Sequence, residues 1–127
     1  MEAENVVAAK SFAFAVRIVR LCRHLRTDQH EYVLIKQLLR SGTSIGANVE
    51  EAIGGISKAD FSHKISIAYK EARETNYWLK LLAATNTLTP AAFTSIQTDC
   101  EELCRILRAI LNTTRIKKEK EQDTEPS

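Results

Sequence analysis

Arginine side chains recur at three-residue intervals near both ends of the sequence, and they have the clearest potential for chemistry. Arg17, Arg20 and Arg23 form one such series, and Arg105 and Arg108 repeat the spacing near the C-terminal end. On a helix, residues three or four apart share a face. A face of arginines can contact nucleic-acid phosphates, or it can be a solvated face whose cations pair with nearby acids.

Arg40 lies between these two series and is a further candidate for phosphate contact. The formal net charge of +2 is too small to indicate a nucleic-acid partner by itself, so any affinity must come from local clustering. Self-assembly would repeat the arginines and concentrate their field. In the solvated-face alternative, they pair instead with acids such as Glu101 and Glu102.

Three carboxylates, Glu51, Glu71 and Glu74, lie beside predicted core positions. Di-iron bundles use inward-facing Glu-x-x-His pairs, whereas Glu71 is followed three residues later by Glu74 and no histidine lies three residues after a Glu. A carboxylate metal site is therefore a minor hypothesis. The favoured interpretation is that these carboxylates bond to Arg, Asn or Ser side chains across helices.

The potential nucleophiles lack the sequence context that catalysis requires. Ser41 and Ser44 are outside any Gly-x-Ser-x-Gly motif, and residues 42–46 lack the Lys-Ser/Thr of a phosphate loop. Cys100 and Cys104 would share a helical face, but no matching Cys/His pair accompanies them, so burial is favoured over a metal or redox role. The sequence predicts no catalytic residue, no metal ligand and no cofactor, and hence a non-enzymatic protein.

The composition sets the scale of the fold. A chain of 127 residues predicts one domain, and two prolines and four glycines favour long helices. No apolar run approaches the roughly 18 residues of a membrane span. The acidic Glu2 and Glu4 stand where a signal peptide carries basic residues. We expect a cytoplasmic protein without membrane contact.

Four segments with helical apolar spacing must position these side chains. The first is predicted over about 2–25, and the second follows an N-cap at Asp28 and ends near 51–53. Ser57 and Thr89 are predicted to cap the third and fourth helices. Short breaks between amphipathic helices favour antiparallel neighbours. The sequence therefore predicts an all-α, up-down-up-down four-helix bundle with shallow crossing angles.

The apolar spacing stops near the C-terminal end. From Lys117 onward, lysines and glutamates are nearly balanced and the chain ends in Glu-Pro-Ser. We therefore expect a bundle domain over residues 1–116 and a disordered, charged tail over residues 117–127.

Small residues interrupt the second predicted helix in the middle of its apolar seam. Gly42 and Gly46 each cost a helix roughly 1 kcal/mol relative to Ala, so we expect them to allow close approach of a neighbouring helix. The first helix carries two apolar stripes where an isolated bundle needs one. Together with Trp78 on the third helix, this excess predicts an apolar surface that is buried between subunits.

Two blocks of this sequence resemble the signature of the 23S rRNA intervening-sequence protein family. The first block is QLLRS followed after two residues by SIGANVEE, and the second joins EARET to YWL. The resemblance extends over about residues 12–111. It departs at Gly46, where the family usually has Pro, and at Ala52, where it usually has Gly.

The resemblance implies a left-handed four-helix bundle that assembles as a ring, with a pentamer expected. Family members are encoded inside intervening sequences of ribosomal RNA genes or stand free. A related bundle, the accessory variability determinant of diversity-generating retroelements, is a basic pentamer that binds a reverse transcriptase and nucleic acid. By analogy, RNA or a nucleic-acid-bound protein is the expected partner here.

The family motif is matched here at Arg40, Ser41, Ser44, Asn48, Glu51 and Glu74. We expect a structural polar network that comprises Ser44, Asn48, Glu51, Glu71 and Glu74. Within it, Asn48 and Glu51 are expected to join helices, with a structural and not a catalytic role.

The leading hypothesis is a non-enzymatic, oligomeric helical bundle that acts as an accessory or scaffold associated with RNA or a ribonucleoprotein. The alternative is a protein–protein interaction module without nucleic-acid contact, and a carboxylate metal-binding bundle is a minor alternative. The residues predicted to contact nucleic acid are Arg17, Arg20, Arg23, Arg40, Arg105 and Arg108.

Overall fold

The computed structural model describes residues 2–124, with side chains described through Arg115 and at Lys120. These residues form four helices and no strand. The helices are α1 (Glu2–Asp28), α2 (Tyr32–Ile53), α3 (Lys58–Ala84) and α4 (Pro90–Thr124). The all-α class predicted from the sequence is therefore confirmed.

Two of the three predicted helix caps are present. The Ser57 side chain accepts a hydrogen bond from the Asp60 N–H at 3.1 Å, and Thr89 accepts one from the Ala92 N–H at 3.2 Å. These bonds satisfy amide groups that have no partner inside the first turn of a helix. Because Pro90 has no N–H, it costs nothing as the first residue of α4.

The predicted cap at Asp28 is wrong. Asp28 is the last residue of α1, and the chain reverses at His30, whose φ of 58° lies in the left-handed region. Glu31 is the N-cap of α2, and its carboxylate accepts a hydrogen bond from the Leu34 N–H at 3.4 Å. The helical spacing of α1 thus continues past Leu25, where the prediction ended it.

Each helix packs against two others. α1 contacts α2 and α4, and α3 contacts the same two helices. Partner residues run in opposite sequence directions: Lys10 and Arg17 of α1 meet Glu102 and Asp99 of α4, respectively. This packing is consistent with the predicted bundle.

The core is built from the apolar seam of each helix. The two predicted stripes of α1 are Phe14, Ile18, Leu21 and Leu25, and Phe12, Ala15, Val16, Val19 and Cys22. Phe14, Ile18 and Leu25 of the first and Cys22 of the second are buried, whereas Phe12 is 70% exposed. Removing such side chains from water supplies most of the stabilisation, roughly 1.5–3 kcal/mol for each large one. Phe12 therefore leaves apolar surface of α1 in contact with solvent.

The glycines of α2 permit the close approach that was predicted for them. A Cβ at Gly42 would lie 2.8 Å from Cγ2 of Ile18, and one at Gly46 would lie 3.3 Å from the backbone oxygen of Ser11. Both contacts are with α1. The unfavourable helix propensity of glycine is thus offset by tight packing between α1 and α2.

Helix α4 extends beyond the predicted limit of the domain at residue 116. It is helical through Thr124, in a stretch of Lys, Glu and Gln that have good intrinsic helix propensity. Residues 125–127 lie outside the described part of the chain. The division at residue 116 and the disordered, charged tail over residues 117–127 stay predictions.

Candidate functional site

The six predicted nucleic-acid contacts do not form one patch, and Arg17 is the first exception. It lies between α1 and α4, where its guanidinium pairs with Asp99 and donates to the Ser95 hydroxyl at 2.8 Å. Beside it, the Lys10 ammonium lies 2.6 Å from the Glu102 carboxylate. Acids of α4 thus neutralise both cations, as the solvated-face alternative requires.

Arg40 is the second exception, because it lies between α2 and α3. Its guanidinium pairs with Glu74, lies 3.3 Å from Glu71 and donates to Gln37 at 3.2 Å. The Glu74 carboxylate, with Glu71 beside it, raises the pKa of Arg40 above its ordinary value. Arg40 therefore links α2 to α3, and acids of the same chain neutralise its positive charge.

Arg20 and Arg23 lie on the exposed side of α1. Neither makes an ion pair with an acid in the described part of the chain. Nearby, the Arg26 guanidinium lies 5.8 Å from the centre of the Tyr32 ring. Cations without an acid partner remain available to phosphates, because no internal ion pair has to be broken first.

Arg105 and Arg108 border a groove between α3 and α4, with a volume of about 420 Å³. We call it the α3/α4 groove. Its lining residues are Tyr69, Arg73, Asn76, Tyr77, Lys80, Glu101, Cys104 and Arg105. Three of them are cationic and one is a carboxylate, so the lining carries excess positive charge. Arg73 and Lys80 were not among the residues predicted to contact nucleic acid.

Two arginines lie beside the Tyr69 hydroxyl at the α3/α4 groove. Arg108 donates a hydrogen bond to the Tyr69 hydroxyl at 3.3 Å. That hydrogen bond, together with the nearby Arg73, lowers the pKa of the Tyr69 phenol. On the opposite side of the groove, Gln97 donates to the Asn76 side chain at 3.1 Å and ties α4 to α3.

The thiols divide into buried and groove-lining groups. Burial raises the pKa of the Cys22 thiol to about 11, and contact with Cys104 together with burial raises the pKa of Cys100. The neighbouring Cys100 lowers the pKa of Cys104, and Arg73 and Arg105 act in the same direction. No cluster of three His, Cys, Asp or Glu side chains in the described chain is arranged to hold a metal ion.

The predicted polar network is only partly interhelical. The Asn48 amide donates to the backbone oxygen of Ser44 at 2.9 Å, and Ser44 Oγ lies 3.4 Å away, so this contact is within α2. Glu51 does join two helices, since its carboxylate lies 2.9 Å from the Lys64 ammonium of α3. With the Arg40 cluster, this ion pair forms a polar border between α2 and α3.

A buried hydrogen bond that was not predicted from the sequence lies beneath that border. Ser41 and Thr75 are fully buried, and their hydroxyl oxygens are 2.9 Å apart. The Thr75 hydroxyl oxygen also lies 2.7 Å from the backbone oxygen of Glu71, and the single hydroxyl proton is shared between the two contacts. The available signal was the position of Thr75 within the apolar seam of α3, where a polar side chain needs a partner.

Apolar side chains remain exposed on α1 and α3. Phe12 is 70% exposed, and Tyr77, 58% exposed, contacts Trp78 edge to face with 5.2 Å between ring centres. The Trp78 indole N–H is buried and has no hydrogen-bond partner in the described chain. None of the described helices is both long enough and apolar enough to cross a membrane.

Comparisons with known proteins give a consistent match. The sequence model of the 23S rRNA-intervening sequence protein family matches residues 3–109. A solved structure, described as a protein with unknown function from the S23 ribosomal protein family of Bacteroides thetaiotaomicron VPI-5482, is 50% identical. The match covers 87% of this chain and 98% of that one, with a TM-score of 0.85. Among curated proteins, none matches significantly.

Proposed function

The chain belongs to the 23S rRNA-intervening sequence protein family, and we propose that it is a non-enzymatic accessory protein that assembles with itself and associates with RNA. The observation that carries the RNA association is a set of unpaired cations. Arg20 and Arg23 of α1 and Arg105 and Arg108 of α4 make no ion pair with a described acid. Arg17 and Arg40, which do, are outside the proposed contact set.

The physical basis of this association is the release of counterions from RNA. Each cation that neutralises a phosphate releases condensed counterions, and the affinity then falls steeply as salt rises. Arginine suits this role because its planar guanidinium binds phosphate oxygens through two hydrogen bonds. The formal net charge of +2 is small, so the contact depends on these few residues.

Self-assembly is the second part of the proposal. The 70% exposed Phe12 on α1 supports a contact with another subunit, because a large apolar side chain in water is typical of an interaction surface. A ring, with the pentamer implied by the resemblance, would repeat the unpaired arginines around its circumference. Left-handed, up-down-up-down packing and a cytoplasmic location are parts of the same proposal.

The test is salt-dependent RNA binding by the full chain. Fluorescence anisotropy with a labelled structured RNA would compare the parent with Arg20→Glu/Arg23→Glu and with Arg105→Glu/Arg108→Glu. We expect each double variant to lose at least about tenfold in affinity and to show a shallower salt dependence. Size-exclusion chromatography with light scattering would establish that assembly is unchanged.

The matched control is Lys36→Glu/Lys70→Glu. It makes the same change in net charge at two exposed lysines of α2 and α3. Equal loss in the control would mean that only net charge matters and would contradict a contact set on α1 and α4. No salt-sensitive RNA binding by the parent would overturn the RNA association itself.

An interaction module for proteins alone is the second candidate, and the exposed Phe12 favours it. Large apolar groups on a surface are typical of protein contacts, whereas RNA contacts are mainly cationic. A particle that assembles, yet binds no RNA at low salt, would favour this candidate. Elemental analysis of the same particle tests the minor metal-binding hypothesis, which predicts bound iron, manganese or zinc.

A further inference from the structure

The α3/α4 groove combines three features that suit a nucleotide. Its volume of about 420 Å³ is in the range of small-molecule sites. Arg73, Lys80 and Arg105 supply positive charge for a phosphate, opposed by Glu101 alone. The ring of Tyr77 lines the same groove and is 58% exposed, so it can provide a surface for stacking.

The Tyr77 ring contacts the ring of its neighbour, Trp78. The rings of Tyr77 and Trp78 meet edge to face, with 5.2 Å between their centres and 71° between their planes. Aromatic pairs of this geometry are favourable beyond their burial. A contact that restricts the ring reduces the conformational entropy that is lost when a base stacks on it, which favours binding.

A further cation lies beside the groove at Tyr69. Arg108 donates to the Tyr69 hydroxyl at 3.3 Å, which places a fourth positive side chain next to the lining. Cations beside an exposed aromatic ring are the combination that binds single-stranded nucleic acid, where phosphates and unstacked bases are reached together. A base-paired helix keeps its bases stacked and offers only phosphates and groove edges.

We propose that the α3/α4 groove binds a nucleoside 5′-phosphate, with Arg73 and Arg105 on the phosphate and Tyr77 stacked on the base. This unit could come from an unpaired segment of RNA or from a free mononucleotide. The first source rests on the proposed function, and the second does not. Arg105 belongs to both this site and the proposed RNA contact set, whereas Arg73 and Tyr77 belong to the groove alone.

The test uses the full chain and three probes: a labelled oligoadenylate of about ten nucleotides, adenosine 5′-monophosphate and a fully paired RNA hairpin. The single tryptophan, Trp78, contacts Tyr77, so its fluorescence reports on stacking directly. We expect the oligoadenylate to bind and to change this fluorescence. Competition by the mononucleotide distinguishes the two sources of the ligand.

Two variants and two controls locate the site. Tyr77→Leu should weaken oligoadenylate binding by about 5- to 100-fold, the range for one stacked base. Arg73→Gln/Arg105→Gln should flatten the salt dependence by about 0.7 in logarithmic slope for each phosphate contact that is lost.

Tyr32→Leu removes a tyrosine of similar exposure on α2, and Lys70→Gln removes a cation of α3 outside the groove. Both controls should bind like the parent.

The outcomes separate this inference from the RNA association. If the paired hairpin binds while oligoadenylate and mononucleotide do not, the groove site is wrong and the RNA association stands. If the mononucleotide alone binds and Tyr77→Leu abolishes its binding, the site stands and the RNA association is wrong. Unchanged binding in Tyr77→Leu, or equal loss in Tyr32→Leu, would overturn the groove site.

Discussion

Gly42 of α2 lies directly against Ile18 of α1, so closely that a Cβ on Gly42 would come within 2.8 Å of Cγ2 and 2.9 Å of Cγ1. Ile18 is fully buried, so it has little room to move aside. The contact sets the distance between α1 and α2. It also explains why α2 tolerates a glycine in the middle of its apolar seam.

We expect Gly42→Ala to destabilise the fold by about 1–3 kcal/mol, because overpacking against Ile18 exceeds the gain in helix propensity. Chemical unfolding monitored by circular dichroism would measure the change. Gly54→Ala is the control, since a Cβ there would make only ordinary contact, at 3.6 Å. Combining Gly42→Ala with Ile18→Ala should cost less than the sum of the two changes, and strict additivity would contradict the proposed clash.

The buried pair of Ser41 and Thr75 gives a second prediction. Thr75→Val should lower the free energy of unfolding by about 1–3 kcal/mol, because it leaves the Ser41 hydroxyl without this partner in the core. Adding Ser41→Ala removes the hydroxyl, whose remaining hydrogen bond is the 3.4 Å one to the backbone oxygen of Leu38. A double-mutant cycle should therefore give a favourable coupling energy. A coupling near zero would mean that the 2.9 Å contact contributes nothing to stability.

Arg17 should behave differently from its neighbours on α1. Its ion pair with Asp99 is between side chains that are 41% and 47% exposed, so Arg17→Ala should cost only about 0.2–1 kcal/mol. The same change should leave salt-sensitive RNA binding within about twofold of the parent, because the cation is already paired. Anisotropy titrations beside Arg20→Ala provide the comparison. A larger loss in Arg17→Ala than in Arg20→Ala would contradict this assignment.

Phe12 should be important for assembly. Phe12→Asp places a charge on the exposed apolar surface of α1. It should reduce the mass of the particle at micromolar concentration, because burial of a large apolar side chain between subunits contributes about 1.5–3 kcal/mol. Light scattering on the size-exclusion peak measures this. Ile56→Asp is the control, since Ile56 is 96% exposed in the connection between α2 and α3. A parent that is itself monomeric would refute assembly through this surface.

The stability of the protein should decline in alkaline solution, in part through Cys22. Burial raises the pKa of this thiol from 9.0 to about 11, so the unfolded chain releases the proton at a lower pH than the folded chain. The stabilising effect is complete below about pH 9 and is lost as the pH rises through about 11, at a cost of about 1–3 kcal/mol.

Urea unfolding at several pH values from about 8 to about 11 would measure this decline in the parent and in Cys22→Ala. The variant is expected to be less stable throughout, because it loses packing in the core, but its stability should fall less steeply with pH. Parallel curves would show that other groups cause the alkaline loss. The two measurements share the same lysines and tyrosines, so the difference isolates the thiol.

The sequence by itself determined the helices and most of their boundaries. Ser57 and Thr89 cap the helices that follow them because capping requires only a side-chain oxygen two or three residues before an unpaired N–H. The apolar seam of each helix could also be predicted from the sequence, because buried residues recur along a helix at a fixed spacing. The error at Asp28 arose because a left-handed turn at His30 moved the start of α2 by three residues.

The tertiary structure alone decided which arginines are paired. Arg17 and Asp99 are 82 positions apart, and nothing in their local sequence indicates that they meet. In the same way, Arg73 and Arg105 come from different helices and line one groove. Ion pairs and grooves depend on the rotation of one helix against the next. Tight contacts such as Gly42 against Ile18 fix that rotation, and such contacts exist only once the helices have packed.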